Sequence, residues 1–142
     1  MRILVLATTL LCTAILTIPA FADTAVPDLK GTWDLTYEAA IQNNTEEEQA
    51  KRHMDDTGFS SLDVVITIDK QEGFKFSGTK ASKKRTEKLS GVIGFDNQSA
   101  YMVDEDGMMI CRIVSPDKIE QIYLHVTTNR SVASRGMMTR RH

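Results

Sequence analysis

The chain has 142 residues, 42% hydrophobic and 25% charged, and a formal net charge of −2 from 17 basic and 19 acidic side chains. That length suits one domain, and the proline, glycine and cysteine contents exclude collagen-like, disulfide-scaffold and low-complexity chains. A charge this close to neutral carries no footprint of a general nucleic-acid binder.

Arg2 supplies a short positive start, Ile3 to Ile18 form an apolar run, and Ala20-Phe21-Ala22 after Pro19 reads as an A-x-A cleavage site. Residues 1–22 are therefore expected to be a signal peptide, and 23–142 a single β-barrel domain exported to a periplasm or the extracellular space. The apolar run is too short for a transmembrane anchor. Cleavage would remove Cys12 and leave Cys111 alone, so no intramolecular disulfide is expected. With no Cys or His spaced as its partner, Cys111 reads as a half-buried strand thiol.

After a loose lead-in, Asp23 to Asp28, the chain alternates in period two. Trp33, Leu35 and Tyr37 share one face of a first strand, Gly31 to Glu38, with Thr32, Asp34, Thr36 and Glu38 on the other. Residues 39–60 are too long for a hairpin turn and carry helix signals. Thr45 and Glu48 have capping-box spacing, Glu46 to Glu48 precede Lys51 to His53, and Glu47–Lys51 and Glu48–Arg52 are i,i+4 pairs. A short helix over 46–54 is predicted, lying across the barrel rim.

Leu62, Val64, Ile66 and Ile68 mark the second strand and Phe74 to Ser77 the third. Thr86 to Phe95 is the fourth, with Leu89, Ile93 and Phe95 in step and Gly91 and Gly94 suggesting curvature or a bulge. Ala100 to Val103 and Met108 to Val114 flank an Asp-Gly hairpin signal at Asp106-Gly107. Ile119 to Val126 and Val132 to Met138 complete the set. The fold class expected is all-β: an antiparallel up-and-down meander barrel of about eight strands, with one short helix between the first two strands.

Tyr123, His125 and Gln121 share one face of the seventh strand; Ile122, Leu124 and Val126 share the other. If the apolar set fills the core, the polar set faces water. If the barrel holds a cavity, the polar set lines it. On that second reading Tyr37, Tyr101, Arg112, Gln121, Tyr123 and His125 are the candidate ligand-binding residues. Asp104, Glu105 and Asp106 lack the further acidic residues of a calcium loop. His53 with Asp55 and Asp56 coincides with a helix end, so neither cluster is read as a metal site and no cofactor is expected. The basic loop 80–88, with Lys83, Lys84 and Arg85 at its centre, reads as a solvated turn or as a contact for an anionic envelope surface or a protein. Asn43, Asn97 and Asn129 match the glycosylation pattern. No phosphate loop, nucleophile elbow or zinc-binding His pair is present in the sequence.

Leu29-Lys30-Gly31-Thr32-Trp33 resembles the opening strand of avidin-like and lipocalin-like barrels, and Phe76-Ser77-Gly78-Thr79 and Leu89-Ser90-Gly91 look like later avidin strands. Tyr101 to Gly107 looks like small exported bacterial proteins. The resemblance implies an eight-stranded barrel with a ligand site at one mouth and Trp33 plugging the base, with Arg140 as its stacking partner. Avidin-type pockets are walled by several tryptophans, and this chain has none after Trp33, so biotin is not implied. The function expected is a non-enzymatic exported barrel, not membrane-spanning, that binds a small apolar or amphipathic ligand. The alternative is an inhibitor-like interaction module acting through the basic loop or the helix.

Overall fold

The computed structural model describes residues 25–43 and 58–142. Eight strands follow in chain order: β1 (Gly31–Asn43), β2 (Gly58–Glu72), β3 (Lys75–Ala81), β4 (Thr86–Ile93), β5 (Ser99–Val103), β6 (Gly107–Ser115), β7 (Lys118–Val126) and β8 (Arg130–Arg140). Each pairs antiparallel with the next, and β8 returns to β1 from Trp33↔Arg140 to Asn43↔Arg130, closing the barrel. Closure leaves no unpaired sheet edge. Among the described residues no helix is long and apolar enough to cross a membrane.

The meander is as expected, but the helix between β1 and β2 is corrected. No helix occurs among the described residues, and 46–54 lies outside them. Both ends of the 39–60 interval are strand instead: Ala39 pairs with Ser60, Ala40 with Phe59 and Ile41 with Gly58. Ala39 and Ile41 continue the buried face of Trp33, Leu35 and Tyr37, so strand alternation extends into the interval ahead of its charged residues.

In β4, Phe95 is not buried in step and no bulge falls at Gly91. Phe95 is fully exposed, beyond the strand's end. Pairing through Gly91 is unbroken, from Phe76 on one side to Met102 on the other. The missing side chain there admits the Phe76 ring, whose Cζ would lie 2.3 Å from a Cβ. The register irregularities fall elsewhere, between Ile68 and Lys70 and between Ile113 and Ser115.

The lower half of the barrel is filled. Trp33, Ile66, Ile68, Phe76, Leu89, Ile93, Ile119 and Met138 belong to one buried apolar cluster, each such side chain contributing roughly 1.5–3 kcal/mol by leaving water. Trp33 Nε1 donates to the Leu29 carbonyl at 3.0 Å, and the Arg140 guanidinium stacks 4.2 Å from the indole centre. Arg140 also donates to the carbonyls of Pro116 and Asp28, each at 2.9 Å, and to that of Lys30. The lead-in is tied down near its end: Leu29 N–H donates to Gln71 Oε1 at 2.8 Å, and Gln71 Nε2 donates to the Pro27 carbonyl at 2.8 Å. This closes the base and leaves the other end as the mouth, where the β3–β4, β5–β6 and β7–β8 loops gather.

Candidate functional site

In the upper half the inward positions turn polar. On β3, Lys80 continues the inward step of Phe76 and Gly78; on β4, Glu87 precedes Leu89 on the same face. The two are cross-strand partners, and Lys80 Nζ lies 3.1 Å from Glu87 Oε2 with both side chains buried. Lys80 also bonds the Asp104 carboxylate and lies 4.5 Å from the Tyr123 ring centre. One ammonium thus meets two carboxylates and a π-face, which compensates its desolvation.

The β5–β6 loop supplies the acidic half. Asp104 Oδ1 accepts from Gly107 N–H at 2.7 Å and Asp106 N–H at 3.2 Å, an Asx turn that shapes the loop and leaves Oδ2 for Lys80. A side chain at Gly107 would strike the Tyr123 ring at 2.4–2.5 Å, so glycine there lets β7 bring its tyrosine under the loop. Tyr123 Oη donates to Asp106 Oδ1 at 3.0 Å. From the β3–β4 loop, Arg85 reaches Glu87 at 2.9 Å, Glu105 at 2.6 Å and Asp106 at 3.5 Å.

His125 Nδ1 lies 2.7 Å from the Asp106 carbonyl oxygen. A carbonyl only accepts, so Nδ1 carries the proton and, in the neutral ring, Nε2 presents its lone pair. The Nδ1 contact with Asp106 Oδ1 is longer, 3.4 Å. The hydrogen bond from His125, with help from Tyr123 and against the cost of burial, holds the Asp106 carboxyl well below the usual range. Burial, reinforced by Asp104, pushes the Tyr123 hydroxyl far up and keeps it a donor. Burial likewise raises Tyr37 well above its ordinary value and the Cys111 thiol to about 12.

These groups frame a recess at the mouth with a cavity volume of about 50 Å³, widening to about 520 Å³ when the gaps between atoms and the solvent at its opening are counted. Leu62 and Val64 of β2 and Val132 of β8 give its lining an apolar part; Lys80, Arg85, Asp106, His125 and Arg130 give it a polar one. Tyr37 and Tyr123 join the two, their ring centres 5.7 Å apart. Tyr37 Oη and His125 Nε2 are buried without a hydrogen-bond partner among the described residues, and so are both amide atoms of Gln121 below them. The carboxylates of Glu87, Asp104 and Asp106 offer oxygens within 4.8 Å of one another. Lys80 and Arg85 already occupy those oxygens, so a metal ion would have to displace them.

Of the candidate ligand residues, Tyr37, Gln121, Tyr123 and His125 point inward. Tyr101 and Arg112 do not join them: Tyr101 is half exposed on the outer face of β5, and Arg112 pairs outside the barrel with Glu120 at 2.7 Å. The basic loop divides, with Lys80 inside, Arg85 engaged by acids, and Lys83 and Lys84 exposed. Sequence reasoning missed Lys80, Glu87, Asp104 and Asp106. For the first two a signal was present: each stands on the inward phase of its strand, where a charge demands a buried partner. No family model matches the chain, and no curated protein or solved structure matches it either.

Proposed function

We propose that this chain is an exported, non-enzymatic barrel, of the general avidin-like or lipocalin-like kind, that takes up a small amphipathic molecule at its mouth. One observation carries the reading. Apolar side chains and charge-compensated polar ones line the same recess, and two buried polar atoms on its lining, Tyr37 Oη and His125 Nε2, have no partner among the described residues. Unpaired buried polar atoms are costly, and a ligand with a donor for Nε2 and an acceptor or donor for Tyr37 would satisfy them. The filled lower half restricts the ligand to the mouth, and the charged part of the lining disfavours a wholly apolar one. Residues 1–22 support export to a periplasmic or extracellular location by their leader-like pattern.

Native mass spectrometry of the protein recovered from its own envelope or medium tests this. A small molecule retained by the parent and lost from Tyr37→Phe and His125→Ala is the expected result. A high-resolution structure of protein so recovered, with Tyr37 Oη and His125 Nε2 each bonded only to ordered water, would refute it.

A further inference from the structure

The outer surface of the barrel has two characters. Around β1 and β2 the outward residues include Thr32, Asp34, Thr36, Glu38, Asp63 and Thr67. Across β4 to β7 two outward rows are largely apolar and in register, beside Lys88 and Ser90 of β4 and the Arg112–Glu120 row. Val92 pairs with Tyr101, Tyr101 with Ile110 and Ile110 with Ile122, so one row crosses four strands. The next row toward the mouth runs Val103, Met108, Leu124. Apart from the partly shielded Leu124, each of these side chains is exposed by 43% or more. Together they present on the order of 500 Å² of apolar residue surface, at the upper end of what a monomer ordinarily shows in one patch.

We propose that this face is the interface of a two-fold dimer, its occupant a second copy of the same chain. Two observations select that occupant. The first is size: with the neighbouring Arg112–Glu120 row and Val114 and Val126, the face offers roughly 800 Å², the share one partner gives to a standard interface. The second is self-complementarity. A two-fold axis in the interface, parallel to the strands and between β6 and β7, lays each residue of β6 over its own cross-strand neighbour in the other copy. Ile110 then meets Ile122, Met108 meets Leu124, and Arg112 meets Glu120, so apolar rows face apolar rows and each guanidinium faces a carboxylate. At the rim the same axis places Tyr101 over Arg135, a cation–π pairing. An axis across the strands through the Ile110 row would instead set Met108 against Arg112. Tyr101 and Arg112, which do not reach the recess, have a role on this face.

Sedimentation of the exported protein across micromolar concentrations tests the proposal. A reversible dimer, twice the mass of the exported chain, is expected. Ile110→Asp should raise its dissociation constant about thirtyfold or more, as a central contact does, with the sheet spectrum unchanged; Met108→Lys is a second, independent disruption. Arg112→Glu should weaken the dimer, and adding Glu120→Arg should restore it. A monomer throughout, a dimer indifferent to Ile110→Asp and Met108→Lys, or a charge swap that restores nothing would each overturn the proposal. A monomer that instead floats with lipid vesicles would assign the face to a membrane and overturn it too.

Discussion

Replacing Lys80 by Met isolates the energetics of the polar interior. The substitution keeps most of the side-chain volume, so packing changes little. It removes the one ammonium that bonds both Glu87 and Asp104, whose side chains are fully shielded from solvent. Arg85 still reaches Glu87, but Asp104 loses its only ion-pair partner among the described residues. Breaking a buried pair by deleting one member costs about 3–5 kcal/mol, against a total stability of about 5–15 kcal/mol for a domain. The melting temperature should fall by roughly 10–20 °C for a domain of this size. A control sits at the other end of the barrel: Lys70 and Glu72 pair at 3.1 Å with both side chains largely in solvent, and Lys70→Met should change stability by less than about 0.5 kcal/mol. Urea denaturation of both variants measures the contrast. Adding Asp104→Asn to Lys80→Met should recover part of the loss, because the orphaned charge goes with it. If Lys80→Met costs no more than Lys70→Met, the buried network is not compensating a desolvation cost, and the reasoning fails.

Acid titration tests Asp106. Its carboxyl is held below the ordinary 3.8 in the fold, so its contribution is present above the unfolded value and lost as pH falls through the folded one. Asp106→Asn should therefore cost about 1 kcal/mol near neutral pH, a figure reduced for partial exposure, and converge on the parent only as pH falls well below about 3, through the folded value; parallel stability curves would contradict this. Cys111, its thiol raised to about 12 by burial, should resist alkylation in the native protein at about pH 8 and react only on unfolding. Arg140→Ala removes the cation stacked on Trp33 and three bonds to carbonyls of the lead-in and the β6–β7 turn. A loss of about 2–3 kcal/mol is expected, with the emission of the sole tryptophan shifted to the red; unchanged emission and stability would remove the plug from the account.

The barrel was legible because closure needs only strand count, spacing and alternation, and these are local. Trp33, Leu35 and Tyr37 announce a half-buried strand without help from anything distant, and Gly-x-Trp marks where it starts. The base was legible for a related reason: an up-and-down closure returns the last strand to the first, so Arg140 must arrive beside Trp33. The polar mouth was not legible. Tyr101 and Arg112 share with Tyr37 and His125 every local property that suggested a ligand, and differ only in the phase of the strand that carries them. Phe95 fails similarly, since an in-step aromatic is buried only if the strand continues to reach it. The ion pairs among Lys80, Glu87 and Asp104 join residues as far as 24 apart, and no spacing rule connects them.

β7 shows what decides phase. Its two faces are Gln121, Tyr123 and His125 against Ile122, Leu124 and Val126, and apolar burial alone would turn the second set inward. A shift of one residue in register would do that. Two features oppose the shift. The irregularity between Ile113 and Ser115 leaves Val114 unpaired just beyond the Ile113–Ile119 pair and so pins the β6–β7 register near its turn. Asp106 then takes both the Tyr123 hydroxyl and, through its carbonyl, the His125 ring, bonds that exist only with the polar set inside. The cost of this phase is apolar surface left in water on β5 to β7 and polar atoms left unpaired within. A second copy would cover the first deficit and an amphipathic ligand would satisfy the second, so the two proposals answer opposite faces of one inverted strand. Yet they remain separable: Ile110→Asp should weaken the dimer and leave ligand retention intact, while His125→Ala should do the reverse.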